Sequence, residues 1–274
     1  EQNYPKGIAH AINLCKNFVG EDNFLVFLGD NIIQRSIRDF AKDFEKKSPS
    51  ASILLCEVNN PSRFGIADVK DGKIVKIMEK PKEPPTNLAV TGIYFLTPKI
   101  FDVISRLKPS WRNEYEITDA LDMLLNENNE ITYNIITDYW KDTGTPEDII
   151  NANQAILEKL QPYCNGKNLS TNNLGNIMID KNTIIEKNVK IIGPVIIGKN
   201  CIIDENSIIG PNVSIGDNSK LSKCQINNSI IMKDCKIDCK IKIKNSIIAS
   251  NSKILPKEKD ENILLLGEGT KIIL

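Results

Sequence analysis

From residue 177 to residue 224 the chain falls into sixes: IMIDKN, TIIEKN, VKIIGP, VIIGKN, CIIDEN, SIIGPN, VSIGDN and SKLSKC. The third place is Ile179, Ile185, Ile191, Ile197, Ile203, Ile209, Ile215 and Leu221. The sixth is Asn or Pro in seven of the eight, and the first is small or β-branched in most. An α-helix repeats its apolar face about every 3.6 residues and a strand every two. An aliphatic every six, with turn formers between, fits neither. It fits a parallel β-helix in which three short strands make a triangular coil and each third-place side chain stacks on the coils above and below. Such solenoids wind left-handed, against the usual right-handed crossover. The phase slips after Leu221 and is expected to resume on Ile231, Ile237, Ile243, Ala249 and Leu255. The predicted β-helix spans 176–256, with a C-terminal tail over 257–274.

The first half follows a different rule. GIAHAINLCKNFVG places Ile8, Ala11, Ile12, Cys15 and Phe18 on one helical face, and SIRDFAKDFEKK does the same with Ile37, Phe40, Ala41 and Phe44. FLVFLG and ASILLCEV read as buried strands, and FGIADVKDGKIVKIMEK reads as a hairpin turning at Asp71-Gly72. NLAVTGIYFL is a predicted strand and KIFDVISRL a predicted helix. In GTPEDIINANQAILEKL, Thr145 can cap a helix, Pro146 takes its first position and Asp148 follows three after Thr145. This order predicts an α/β domain over 1–160, with a mostly parallel sheet and an antiparallel insertion. The polar, turn-rich QPYCNGKNLSTNNLG is read as a linker over 161–175.

Lys+Arg and Asp+Glu both number 35, so no basic surplus points to nucleic acid or an anionic membrane. The seven cysteines form no CxxC pair, and Cys235 and Cys239 lack partners for a zinc site. Reduced thiols in the cytoplasm are expected.

The strand FLVFLG ends on an acid, Asp30. Alone, Asp30-Asn31 reads as a turn or helix cap. A second acid, Asp142, ends another predicted strand in YWKDTGTPED. Ligands of open α/β sheets sit beyond the carboxyl ends of strands. Two carboxylates meeting there can hold Mg²⁺, which favours one or two carboxylates plus phosphate oxygens and water.

FLVFLGDNII, RFGIADV, EKPKEPPTNLAVTGIYFLTP, EITDALDMLL and WKDTGTPEDIINAN occur in an order that resembles the sugar-1-phosphate nucleotidylyltransferases. The hexapeptide half and the closing NILLLGEGTKIIL resemble the long-form glucose-1-phosphate thymidylyltransferases within that family. The resemblance implies a Rossmann-like nucleotidyltransferase domain followed by the left-handed β-helix. It implies that Asp30 and Asp142 bind Mg²⁺, that Gln2 and Gly7 read the pyrimidine base, and that Gly65 lets the chain approach the sugar. Glu79 would accept hydrogen bonds from sugar hydroxyls, Lys80 would hold the sugar phosphate, and Gly92 and Tyr94 would wall the sugar pocket. Thr118 and Trp140 would lie nearby. Each has a plainer alternative: Glu79-Lys80 as a solvated strand end, Tyr94 as core, Gly65 as a bulge, Gln2 as a polar residue near a terminus.

The implied reaction joins dTTP and glucose 1-phosphate into dTDP-glucose and pyrophosphate, with Mg²⁺ and no covalent enzyme intermediate. Uridylyl transfer or another sugar 1-phosphate remains open. The family opens on a Gly-rich loop ending in arginine that wraps the triphosphate. This sequence opens on Glu1, without that loop, and little or no transferase activity is expected of it. A hexapeptide acyltransferase would need a catalytic histidine, and the one histidine, His10, lies outside the repeats. A non-catalytic scaffold is the third reading, against which Asp30, Lys80 and Asp142 stand. The flat faces of the β-helix are expected to mediate homo-oligomerisation.

Overall fold

The computed structural model describes residues 2–256. The chain divides into two compact units, Glu1–Thr143 and Gly144–Leu274.

The first unit is built on a six-stranded sheet. Its strands are β1 (Phe24–Phe27), β3 (Ala51–Glu57), β4 (Gly65–Lys70), β5 (Lys73–Glu79), β6 (Leu88–Leu96) and β7 (Ile131–Ile136), while β2 (Asn31–Ile33) and β8 (Trp140–Asp142) form a separate two-stranded ladder. The order is β5-β4-β6-β3-β7, with β1 also paired to β6. β6 is the hub, its residues from Ala89 to Leu96 all buried, as expected of a strand covered on both faces. Only β3–β7 is parallel; β1–β6, β3–β6, β4–β5 and β4–β6 are antiparallel. The expectation of a mostly parallel sheet is therefore corrected. The antiparallel β6 sits at the centre, between β3 and the pair β1 and β4.

β1 also departs from the sequence reading. It pairs with β6 alone, and Leu25 and Phe27 are each 40% exposed. The helical stretch after Gly7 breaks into α1 (Ile8–Asn13) and α2 (Lys16–Val19), so the single predicted face does not form. Ala9 and Ile12 are buried, whereas Ala11 and Cys15 are exposed and Phe18 is almost fully so. α3 (Arg38–Lys47) buries Phe40 and Phe44 as its spacing requires. The hairpin turns at Asp71 (φ 49°) and Gly72 (φ 74°), a pair of left-handed residues that matches the twist of its strands. α4 (Lys99–Ile104) and α5 (Ile117–Asn126) complete the unit and place Ile100, Phe101, Leu121 and Leu124 in its core.

The second unit begins with α6 (Pro146–Leu157), where the Thr145 hydroxyl accepts from the Asp148 amide at 3.2 Å. α6 groups with the solenoid, packing on the strands Val213–Ile215 and Ser229–Ile231, although its sequence reads as the end of the first domain. The stretch read as a linker is already solenoid: Tyr163–Cys164, Lys167–Asn168 and Asn172–Leu174 pair in parallel with the coil that follows.

All eight third-place residues from Ile179 to Leu221 are at most 3% exposed. Register partners stand 18 residues apart at first, Ile179 beside Ile197 and Ile197 beside Ile215. Ile215 then pairs with Ile231, 16 residues on, and Ile231 with Ile248, 17 residues on. The shortened coils explain the phase slip. They also move the last inward positions to Ile248 and Ile254, which pack on the core, and away from Ala249 and Leu255, which are exposed. At the corners, Asn182, Asn200 and Asn218 take left-handed φ values near 60°, which Asn tolerates better than other non-glycine residues. Their side-chain amides form a ladder, Asn182 donating to Asn200 and Asn200 to Asn218, each at 3.1 Å. The closing NILLLGEGTKIIL lies outside the described residues.

Candidate active site

Asp30 follows β1 and Asp142 ends β8. Asp142 stands directly opposite Asn31 in the antiparallel ladder, and the Asp30 carbonyl accepts from the Thr143 amide at 2.9 Å and its hydroxyl at 2.7 Å. Backbone pairing therefore fixes the two aspartates as near neighbours. Both line one cavity of about 260 Å³, together with Gly65, Glu79, Lys80, Gly92, Tyr94, Thr118 and Trp140. Gln2 and Gly7 are not among its lining residues. Gln2 is exposed and pairs with His10 at 2.8 Å, and Gly7, at φ 100°, packs so closely on the Tyr115 backbone that a Cβ would come within 2.6 Å of its carbonyl oxygen.

Glu79 and Lys80 are consecutive, and consecutive strand residues point to opposite faces. Both reach the cavity because β5 ends at Glu79 and Lys80 turns into a left-handed conformation, φ 41°. The Lys80 amide donates to the Phe64 carbonyl at 3.1 Å, which holds this turn, and the Lys80 ammonium lies 3.9 Å from the Glu79 carboxylate.

Glu79 is held by Thr118, Arg112 and Lys80. Its Oε2 accepts from the Thr118 hydroxyl at 2.9 Å and its Oε1 lies 3.3 Å from the Arg112 guanidinium. Burial pushes its carboxyl above the usual range. The Thr118 hydrogen bond opposes that shift, Glu116 adds to it, and Lys80 and Arg112 oppose it. Burial likewise drives the Tyr94 hydroxyl far upward, reinforced by Glu79 and Asp30, so it stays a neutral donor. Gly65 leaves its space to neighbouring side chains: a Cβ there would come within 2.5 Å of Thr118 Cγ2. A Cβ on Gly92 would come within 2.5 Å of the Asn31 amide nitrogen.

Among the other lining residues that escaped the sequence reading are three of one short segment and a fourth beside Asp30. Arg112, Glu114 and Glu116 stand two apart, but Arg112 lies in a turn and Asn113 is left-handed at φ 60°, so a bend rather than strand alternation gathers them. Arg112 contacts Glu79, Glu114 and Glu116 at 3.3, 2.9 and 3.5 Å, and Ser110 donates to Glu116 at 2.8 Å. The fourth, Asn31, stood in the quoted GDN stretch, but nothing in the sequence marks what its amide touches.

Among the described residues, no group of three or more His, Cys, Asp or Glu is arranged to hold a metal. Two carboxylates in one cavity are a donor set that suits Mg²⁺, whose other positions go to water and phosphate oxygens.

Comparison with known proteins decides the class. The nucleotidyl transferase family model matches residues 1–159. The chain belongs to the nucleotidyl transferase family. A second model, the GMPPB C-terminal domain, matches residues 191–273 of the chain. The chain is 50% identical over 158 residues to the low-salt glycan biosynthesis nucleotidyltransferase Agl11 of Haloferax volcanii, covering 57% of this chain and 44% of that one. It is 38% identical over 197 residues to a glucose-1-phosphate thymidylyltransferase of Streptomyces antibioticus, covering 71% and 55%. A solved structure described as a glucose-1-phosphate thymidylyltransferase from Bacillus anthracis, in complex with sucrose, superposes with a TM-score of 0.53 at 42% identity, covering 58% of this chain and 64% of that one. The chain spans about half the length of these curated relatives.

Proposed function

We propose that this transferase works in Mg²⁺-dependent nucleotidyl transfer from dTTP to glucose 1-phosphate, giving dTDP-glucose and pyrophosphate. The observation that carries the reading is one cavity in which Asp30 and Asp142 stand with Glu79, Lys80 and Arg112. Carboxylates suit a cation, and the lysine and arginine suit a phosphate dianion. Glu79 accepts hydrogen bonds from sugar hydroxyls, and Thr118 and Arg112 hold it in place for that task. Gly65 and Gly92 keep the wall thin, and Tyr94 offers a neutral hydroxyl. Mg²⁺, when held by Asp30 and Asp142, neutralises charge on the nucleotide phosphates.

A phosphate oxygen of the sugar attacks the α-phosphorus of the nucleotide, and the bond to pyrophosphate breaks. No proton transfer and no protein nucleophile are required. The protein's work is to bring two anions together and offset their repulsion. Gln2 and Gly7, outside the cavity, are proposed to read the base.

Calorimetric titration with dTDP-glucose, UDP-glucose and glucose 1-phosphate, with and without Mg²⁺, tests this reading without requiring turnover. The expected result is binding of glucose 1-phosphate that Glu79→Gln and Lys80→Met weaken. dTDP-glucose should bind more tightly than UDP-glucose, and only with Mg²⁺. Absence of binding by all three ligands would overturn the proposal. Equal affinity for the two nucleotide sugars would overturn the thymidylyl assignment alone.

A further inference from the structure

Asn31 is 9% exposed, and its side chain makes three hydrogen bonds, each to a different part of the cavity. Its Oδ1 accepts from the Trp140 indole Nε1 at 2.7 Å and from the Gly92 amide at 3.1 Å. Its Nδ2 donates to the Asp30 carboxylate at 2.9 Å. An indole N–H and a backbone N–H can only donate, so they fix which end of the Asn31 amide faces them. The other end must then present its N–H to Asp30.

We propose that Asn31 is a positioning residue that ties the orientation of the Asp30 carboxylate to the sugar-pocket wall at Gly92 and Trp140. The inference rests on the reading of Asp30 as a metal-binding carboxylate. It explains a requirement no other small side chain meets: two acceptor contacts and one donor contact from a single planar group. Leucine has a similar volume and meets none. It would leave two N–H groups and one carboxylate oxygen without their partner. The same geometry couples the metal end of the cavity to the sugar end. Turning Asp30 toward a cation pulls on Nδ2, and any rotation of the amide is felt at the Trp140 N–H. Residues of this kind around metal ligands change metal affinity by about 10–100-fold when replaced.

The experiment uses the whole chain in a Trp111→Phe background. Trp111 is 82% exposed and outside the cavity, and the chain has two tryptophans, so Trp140 becomes the sole indole. Mn²⁺ uptake is followed by electron paramagnetic resonance, and the Trp140 indole N–H resonance is followed during Mg²⁺ titration. Mg²⁺ is expected to shift the Trp140 resonance. Asn31→Leu is expected to weaken Mn²⁺ binding about tenfold and to silence the Trp140 response. Trp140→Phe, a milder change that tests the link if Asn31→Leu folds poorly, should weaken Mn²⁺ binding less. The double variant should be no worse than Asn31→Leu. Wild-type Mn²⁺ affinity in both single variants would overturn the positioning role while leaving the metal site standing. No Mn²⁺ uptake by the unmodified chain would overturn both.

Discussion

Asp142 and Asn31 lie directly opposite each other on two three-residue strands, and this pairing sets Asp30 beside Asp142 through the backbone. The Thr143 amide and hydroxyl both hold the Asp30 carbonyl, so the ladder fixes the backbones of the two aspartates, while the Asn31 amide orients the Asp30 carboxylate. Asp30→Asn and Asp142→Asn should each raise the Mg²⁺ concentration needed for dTDP-glucose binding by more than tenfold, with thermal stability nearly unchanged. Calorimetry at stepped Mg²⁺ checks this; equal Mg²⁺ dependence in wild type and either variant would count against a shared cation.

Gly65 faces Thr118 so closely that an added methyl would meet Cγ2 at 2.5 Å. Gly65→Ala should destabilise the first unit by about 1–3 kcal/mol, the usual cost of overpacking. Thr118→Ser removes that methyl but keeps the hydroxyl that serves Glu79. The pair Gly65→Ala with Thr118→Ser should therefore recover most of the loss in denaturant melts.

Glu79 has a carboxyl pushed up mainly by burial. A group whose folded pKa exceeds its unfolded value contributes most at low pH, and that contribution is lost as pH rises through the folded pKa. Glu79→Gln should therefore gain stability relative to wild type as pH climbs out of the usual carboxylate range. Binding runs the other way: the charged carboxylate is the better acceptor, so wild-type affinity for glucose 1-phosphate should fall on acidification, beginning above the ordinary carboxylate range. The sugar phosphate titrates too, so the Glu79→Gln profile is the reference.

In the solenoid, Ile248 packs on the core while Ala249 is exposed. Ile248→Asp should destabilise the last coils strongly, and Ala249→Asp should change little. Proteolysis of the second unit would show the difference, and the reverse pattern would restore the simple six-residue phase.

Thiol labelling offers a check on burial. Cys15 and Cys164 are exposed, whereas Cys224 is buried and its thiol is pushed up to about 11 by desolvation. At pH 8 the first two should react quickly and Cys224 should not.

The solenoid was legible because its period is local: Ile179 to Leu221 fall at fixed spacing, and each does the same job. The first shortening was legible as the phase slip after Leu221, and Ile231, Ile237 and Ile243 are buried as expected; the later one, which turns Ile248 rather than Ala249 inward, was not. The start of the solenoid was hidden because the segment from Tyr163 to Leu174 carries polar residues where later coils carry isoleucine. In the first unit, strands and helices could be read, but the direction of β6 could not. Strand direction depends on long-range connections rather than on pattern. Asp30 and Asp142 were visible as acids ending apolar runs. Asn31 and Arg112 were not, because their roles lie in partners 61 to 109 residues away for Asn31 and 33 residues away for Arg112.

One cavity is proposed to hold a divalent cation and a sugar phosphate together. The most direct measurement is ³¹P relaxation of glucose 1-phosphate bound to the chain, with and without Mn²⁺. Strong relaxation enhancement, lost in Asp142→Asn while the sugar phosphate still binds, is the predicted result. Binding of both with no enhancement, or enhancement that survives loss of both carboxylates, would contradict it.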